Sequence, residues 1–407
     1  MDVKFSAEDL DYFLGPQVIR DRANAMLADA LEGKTNFKVC RDKIPAAAKR
    51  VINVMASRYP EGDIPVHSRW GHFNTEKKNR ESEFLSKISQ MDQLEQARCE
   101  IDLIITSVLL DAGAGKTWSF LDPETEENIG RSEGLALASY HMFVQGGFSS
   151  DSGLNAHAEK LMALTKSDLE QYFQVSESNK LEGVDGRVGL LNSLGTCILN
   201  NKKFFSTPRP GALVDYLHQN SNDGEIEAET ILRTLLVSIG SIWPGRYSLG
   251  KQNLGDTWEY SPWKSKGELS SLVCFHKLSQ WLTYSLMETL QRSGLKVTKL
   301  EKLTALAEYR NGGFLVDSGI LELRSPDLQF EAHGPGSNLV IEWRSLTIAL
   351  IEELASAIRK ELGVDQIEMP LPKILEGGTW WAGRIIAKEL RKNGAPPIEI
   401  ISDGTVF

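Results

Sequence analysis

Cysteine is scarce in this chain, four residues in 407, and no two of them form a CxxC pair. Cys40, Cys99, Cys197 and Cys274 are therefore expected as reduced thiols, not as a disulfide framework or a zinc site. A surplus of positive charge is missing too. The 45 Lys and Arg against 55 Asp and Glu leave a net charge of −10, which argues against a general nucleic-acid binder but leaves room for a local basic pocket holding one phosphate. No apolar run is long enough to span a bilayer, and the best stretch, 101–110, is broken by Asp102, Thr106 and Ser107. The opening Met-Asp-Val-Lys-Phe-Ser-Ala-Glu-Asp-Leu is acidic with no apolar centre, so no secretory signal and a cytoplasmic location are expected. A phosphate loop fails as well: in Asp111-Ala-Gly-Ala-Gly-Lys-Thr117, Leu110 stands where GxxxxGK[ST] needs its first Gly, leaving a Gly-rich turn into Trp118. With no nicotinamide, flavin or pyridoxal fingerprint and no metal-ligand cluster, neither cofactor nor metal is expected. The partner is expected to be a small molecule, with no nucleic acid and no membrane; the oligomeric state is not legible.

What the chain does have is helical periodicity. Residues 6–32 form an amphipathic entry split at Pro16, and 43–58, 83–110, 131–145, 182–194, 225–242, 268–291, 337–362 and 377–392 follow with apolar positions three and four apart. Thr165-Lys-Ser-Asp168 opens a short helix, and residues 396–407 read as two strand-like pieces around an Asp-Gly turn. There is no internal repeat and no long linker. The fold class expected is mainly α, residues 1–407 forming one domain, a helical globule or two helical lobes.

The chemistry is placed around Leu303-Thr-Ala-Leu-Ala-Glu-Tyr-Arg-Asn-Gly-Gly-Phe-Leu-Val-Asp317. Leu300, Leu303, Leu306 and Ala307 recur at helical spacing, with Thr298 and Glu301 fitting a capping box. Asn311-Gly312-Gly313 suits a sharp exit at positive φ. Glu308 and Asp317 then flank a tight turn on apolar walls, where carboxyls are candidates for raised pKa and acid–base or nucleophilic work. A surface Glu paired with Arg310 and an ordinary turn Asp fit the same pattern. Further candidates for binding are His67, Arg69 and Trp70 in Ile64-Pro-Val-His-Ser-Arg-Trp-Gly-His-Phe73, Trp118, Asp256 before Trp258, Lys277 and Arg310. His67 and His72, five apart, match no common metal pattern; a loop covering a substrate or packing down a core edge suits them better. Asp256 suits a substrate hydroxyl or a turn cap equally.

Four separated stretches carry a resemblance. The 64–73 segment, Gly130-Arg-Ser-Glu-Gly-Leu-Ala136, Ala307-Glu-Tyr-Arg-Asn-Gly-Gly-Phe-Leu-Val-Asp317 and the ending Ser402-Asp-Gly-Thr-Val-Phe407 resemble, in order, the uracil-catabolism family of fungi and bacteria long carried as a domain of unknown function. That resemblance spans nearly the whole chain and implies a role in a pathway that opens the uracil ring at the nucleotide level and passes through a ribosylurea intermediate. A more distant similarity is to the queuosine salvage hydrolases, which cleave a base from ribose 5′-phosphate. It lies in 131–147, 162–173 and 181–195, in Phe275-His-Lys-Leu-Ser-Gln280 and in Ala307-Glu-Tyr-Arg310. Their Ala-Asp-Tyr-Arg holds the catalytic carboxylate where this chain has Glu308, one methylene longer. Their kinship with helix-hairpin-helix DNA glycosylases implies the same helical fold, with a few short strands.

These resemblances imply an enzyme, an N-glycosyl hydrolase that cleaves ribosylurea or its 5′-phosphate to urea and ribose or ribose phosphate. Glu308 would stabilise or attack the cationic anomeric carbon, and Asp317 would protonate the leaving nitrogen. Lys277 and Arg310 would hold an anionic group, and His67, Arg69 and Trp70 would close over the substrate. The alternatives are a non-catalytic nucleotide- or partner-binding protein of the same pathway and an amidohydrolase acting on a ring-opened nucleotide.

Overall fold

The computed structural model of the protein describes residues 4–401 except 112, 116 and 245. The 111–117 turn is thus described only in part, and the 402–407 ending, with the second strand-like piece, lies outside the described residues. Among those residues helices dominate. The strands are two or three residues long and pair only in twos, so the fold is mainly α. No described helix is long and apolar enough to cross a membrane. The chain divides into two compact units, one made of residues 4–67, 246–280 and 299–401, the other of 68–244 and 281–298.

The first unit is built on Asn338–Leu362, capped at its start by Ser337 and closed by Gly363 at φ 69°. Every position from Leu339 to Ile351 is buried, Glu342 and Arg344 included, so this helix is enclosed on all sides and its two charges must be paired. Pro16–Leu31, Ile44–Arg58 and Tyr309–Asp317 pack around it, and Trp380–Leu390 packs on Tyr309–Asp317. Two glycines set those spacings. A Cβ on Gly312 would lie within 2.9 Å of Trp343 and Thr347, and one on Gly383 would lie 2.4 Å from the Arg310 carbonyl oxygen. Asn311-Gly312-Gly313 is therefore helix interior, not a turn: the glycines permit close packing and neither needs positive φ.

The segment before it departs from expectation as well. Lys299 sits at φ 56°, a single 3-10 turn covers Leu300–Lys302, and residues 303–308 are not helical. All of 303–308 are buried, so the apolar spacing reflected burial from every side and not one helix face. Side chains supply the missing backbone partners. Arg20 donates to the carbonyls of Glu301, Lys302 and Leu303, and Gln280 bonds both the N–H and the hydroxyl of Thr304. The expected 268–291 helix is also broken. Leu272–Cys274 pairs with Thr257–Glu259 as an antiparallel ribbon, and His276 at φ 46° turns the chain into the helix Lys277–Arg292.

In the second unit Gln93–Leu109 packs on Arg131–Val144, and Val184–Asn200 packs on Ala158–Met162. The expected 83–110 helix is two helices, because Asp92 leaves the helix to cap Leu94 and Glu95. Val184–Asn200 runs on through Gly195, where a Cβ would strike the Ala158 carbonyl oxygen at 2.3 Å; that glycine permits contact and does not end the helix.

Candidate active site

Glu308 is the N-cap of Tyr309–Asp317, with an extended backbone at φ −123°, ψ 159°. Its Oε2 accepts the Arg310 N–H and its Oε1 the Asn311 N–H, each at 2.6 Å, which satisfies two of the donors a helix start leaves open. The residue is 7% exposed. Burial pushes its carboxyl above the ordinary range, and the two backbone donors, then the Lys277 ammonium and the Arg310 guanidinium, pull it back only in part. The outcome is a buried acid with a raised pKa and a cation close by.

A buried clamp holds Glu308 and Lys277 in place. Arg344, from the middle of Asn338–Leu362, makes a two-pronged bond to Asp256 at 2.9 and 2.7 Å, and its Nε donates to the carbonyl of Ala307, next to Glu308. Asp256 also accepts Trp258 Nε1 at 2.8 Å and the backbone N–H of Lys277 at 3.2 Å. Burial pushes the Asp256 carboxyl up, but Arg344 together with the Trp258 and Lys277 N–H donors outweighs it and its pKa ends lowered. With four donors and 6% exposure, Asp256 is a structural anchor, not an acceptor for a substrate hydroxyl. The ribbon Thr257–Glu259 and Leu272–Cys274 explains the meeting: Thr257 pairs with Cys274, so Asp256, just before one strand, and Lys277, three residues past the other, leave from the same end, joined by Phe275 N–H to Asp256 O at 2.9 Å.

Asp317 does not share this site. It closes the nine-residue helix that Glu308 opens, about 13 Å further along the axis at 1.5 Å per residue. Arg391 grips both of its oxygens, Nη1 at 2.8 Å from Oδ1. The expected pair of carboxyls around one turn is thus a cap and a remote ion pair.

His67 also lies in the first unit, its Nδ1 2.8 Å from Glu376 Oε2. Arg69, Trp70 and Trp118 belong to the second unit and are core residues, not a cover over substrate. Arg69 is fully buried, bonded to Ser107 Oγ at 2.7 Å and paired with Asp111 at 3.1 Å. Trp70 is 1% exposed among Phe73 and Phe84. Trp118 is stacked on Phe173 and donates its Nε1 to that residue's carbonyl at 2.9 Å. Asp122, Glu124 and His141 come within metal-ligand reach of one another in this unit. Arg80 already bonds both Asp122 and Glu124, so the trio is built as an ion-pair network around a guanidinium.

The charges of Lys277 and Arg310 both act on Glu308, so these three candidates share one neighbourhood. Arg344 and Glu376 were missed. Arg344 had a signal, since an Arg inside Leu-Val-Ile-Glu-Trp-Arg-Ser-Leu must be buried and therefore paired. Glu376 had none, because its partner lies 309 residues away.

Comparison with known proteins agrees across the full length. The family described as "Protein of unknown function (DUF1688)" matches residues 12–407. "Uracil catabolism protein 4" of Lachancea kluyveri is 36% identical over 436 residues, covering 98% of this chain and 99% of the relative. "Protein urg3" of Schizosaccharomyces pombe is 38% identical over 417 residues, covering 99% of this chain and all of the relative. Matched from residue 12 to its last residue by the family and end to end by two relatives, this chain belongs to the DUF1688 family.

Proposed function

We propose that this protein acts in uracil catabolism, as the name of its Lachancea relative suggests, and that it hydrolyses the N-ribosidic bond of ribosylurea or ribosylurea 5′-phosphate. The observation that carries the reading is the buried Glu308 carboxyl, raised in pKa and lying near Lys277. Breaking a C1′–N bond builds positive charge at the anomeric carbon. A desolvated carboxylate stabilises that charge far better than an exposed one and takes the proton of the attacking water. Lys277 supplies the positive charge an anionic 5′-phosphate needs, and the Asp256–Arg344 clamp keeps both groups in place.

One observation favours a second reading, a protein that binds a nucleotide-like ligand without turning it over. Both Glu308 oxygens already bond backbone N–H groups, which by itself accounts for a buried Glu at that position. Glu308→Gln separates the two. It keeps an oxygen for the cap and removes the charge. Under the hydrolase reading, urea release from ribosylurea 5′-phosphate falls by about a hundredfold or more while ribose 5-phosphate still binds. Release at the parental rate would remove Glu308 from the chemistry, and ribose 5-phosphate binding with no urea release from the parent itself would leave only the binding reading. Ammonia or a carboxylic acid as product would indicate an amidohydrolase instead.

A further inference from the structure

With Asp317 held by Arg391, the expected general acid is away from Glu308, and the first unit contains another buried acid, Glu376. Leu371–Ile374, Leu375–Thr379 and Trp380–Leu390 follow one another without a break, and the middle turn is π-helical. Such turns are rare within helices and recur at functional sites, because the extra residue swings side chains out of α register. This one carries Glu376, 7% exposed, between His67 Nδ1 at 2.8 Å and the Tyr59 hydroxyl at 3.3 Å. Burial pushes the Tyr59 hydroxyl up to about 12, so it remains a neutral donor to the acid.

Two contacts fix where this turn lies relative to Glu308. Arg391 meets Asp317, and eight residues earlier Gly383 lies against Arg310, seven residues before Asp317. Trp380–Leu390 and Tyr309–Asp317 therefore run in the same direction. One turn further back from Gly383 lies Thr379, and Glu376 comes three residues before that, towards the end where Glu308 sits; Leu375–Thr379 packs on Tyr309–Asp317. Among the described residues, Asn311 Oδ1, Arg310 Nε and Thr379 Oγ1, polar atoms at that end on residues 1%, 4% and 0% exposed, have no hydrogen-bond partner. Buried polar atoms are ordinarily paired, and a donor and an acceptor on consecutive residues match the C=O and N–H of a ureido group.

We propose that the Glu376–His67 pair is the proton donor to the leaving ureido nitrogen, with Asn311, Arg310 and Thr379 holding the ureido group beside it. This rests on the N-ribosidic reading above. The C1′–N bond breaks, its electron pair stays on nitrogen, and the proton from the Glu376–His67 pair joins it to give urea. Water adds to C1′ and gives one proton to Glu308, which passes to solvent as the pair takes one up.

The test varies the leaving group. Ribosylurea 5′-phosphate needs protonation to depart, whereas p-nitrophenyl riboside 5-phosphate releases a stable anion without it. Glu376→Gln and His67→Gln are expected to slow urea release by about a hundredfold or more and p-nitrophenol release by no more than about threefold. Retained p-nitrophenol release also shows that the variants fold. Equal loss on both substrates, or parental urea release in both variants, overturns the assignment. Glu308→Gln is the control for the underlying reading. If it is slow on both substrates while the Glu376 and His67 variants are not slowed on either, only the proton-donor assignment fails. If it matches the parent on both, the Glu308 site is not where the bond breaks and the assignment fails with it; if the parent itself releases no urea, the N-ribosidic reading fails.

Discussion

The Asp256–Arg344 pair permits the most complete quantitative prediction. The Asp256 and Arg344 side chains are 7% and 1% exposed, and the carboxylate accepts two bonds from Arg344, one from Trp258 and one from the Lys277 backbone. Asp256→Asn leaves the guanidinium buried without a counter-charge and turns an amide NH2 toward donors. Arg344→Met leaves the carboxylate stranded. Each single change is expected to cost about 3–5 kcal/mol, since removing one partner of a buried pair leaves the other uncompensated. That is a large share of a domain's usual total of about 5–15 kcal/mol. The double variant Asp256→Asn with Arg344→Met removes both charges and should cost much less than the sum, giving a coupling of about 2 kcal/mol or more. Urea denaturation of the four proteins, read as the midpoint at constant m, measures the cycle. The double variant regains stability but not activity, because Arg344 Nε no longer holds the Ala307 carbonyl beside Glu308. Single variants costing under about 1 kcal/mol, or a coupling near zero, would refute the claim that this pair is dry and mutually dependent.

Other expectations follow from the same geometry. Gly383→Ala puts a methyl 2.4 Å from the Arg310 carbonyl oxygen, so it should destabilise by about 1–3 kcal/mol or more and reduce turnover by shifting the Glu308 helix; thermal melts and urea release check both. Asp317→Asn should lower thermal stability through loss of the Arg391 pair yet leave turnover near the parental rate, and a kcat collapse in a folded variant would restore Asp317 to the site. The two acids have opposite pH signatures. Glu308 has a raised native pKa, so its contribution is most favourable below the unfolded value of about 4.3 and declines as pH rises through the native pKa; Glu308→Gln removes that slope. Asp256 has a lowered one, so it stabilises above about 3.9 and that support is lost as pH falls through its native pKa; stability curves of the parent and the two variants below pH 7 test both signs.

The sequence by itself determined the mainly α class and most helix positions, because apolar residues three and four apart are enough to specify which face of a helix is buried. It also singled out Glu308 and Arg310, charged residues placed among apolar neighbours, while Lys277 was picked out by the likeness of its segment to the queuosine salvage hydrolases. Tertiary structure decided what those residues do. Residues 303–308 look helical in pattern, yet they are buried on all sides, and Arg20 and Gln280 replace the helical hydrogen bonds from elsewhere in the chain. Gly312 and Gly313 read as a turn because local sequence cannot distinguish a glycine needed for positive φ from one needed to let Trp343 approach. Asp256 passed from substrate contact to anchor, and Asp317 to a remote ion pair, because their partners Arg344 and Arg391 lie 88 and 74 residues away. Hydrogen bonds and charge pairs act over a few ångströms in space without regard to separation along the chain, so periodicity could show which groups are buried, and only the folded chain shows what each is paired with.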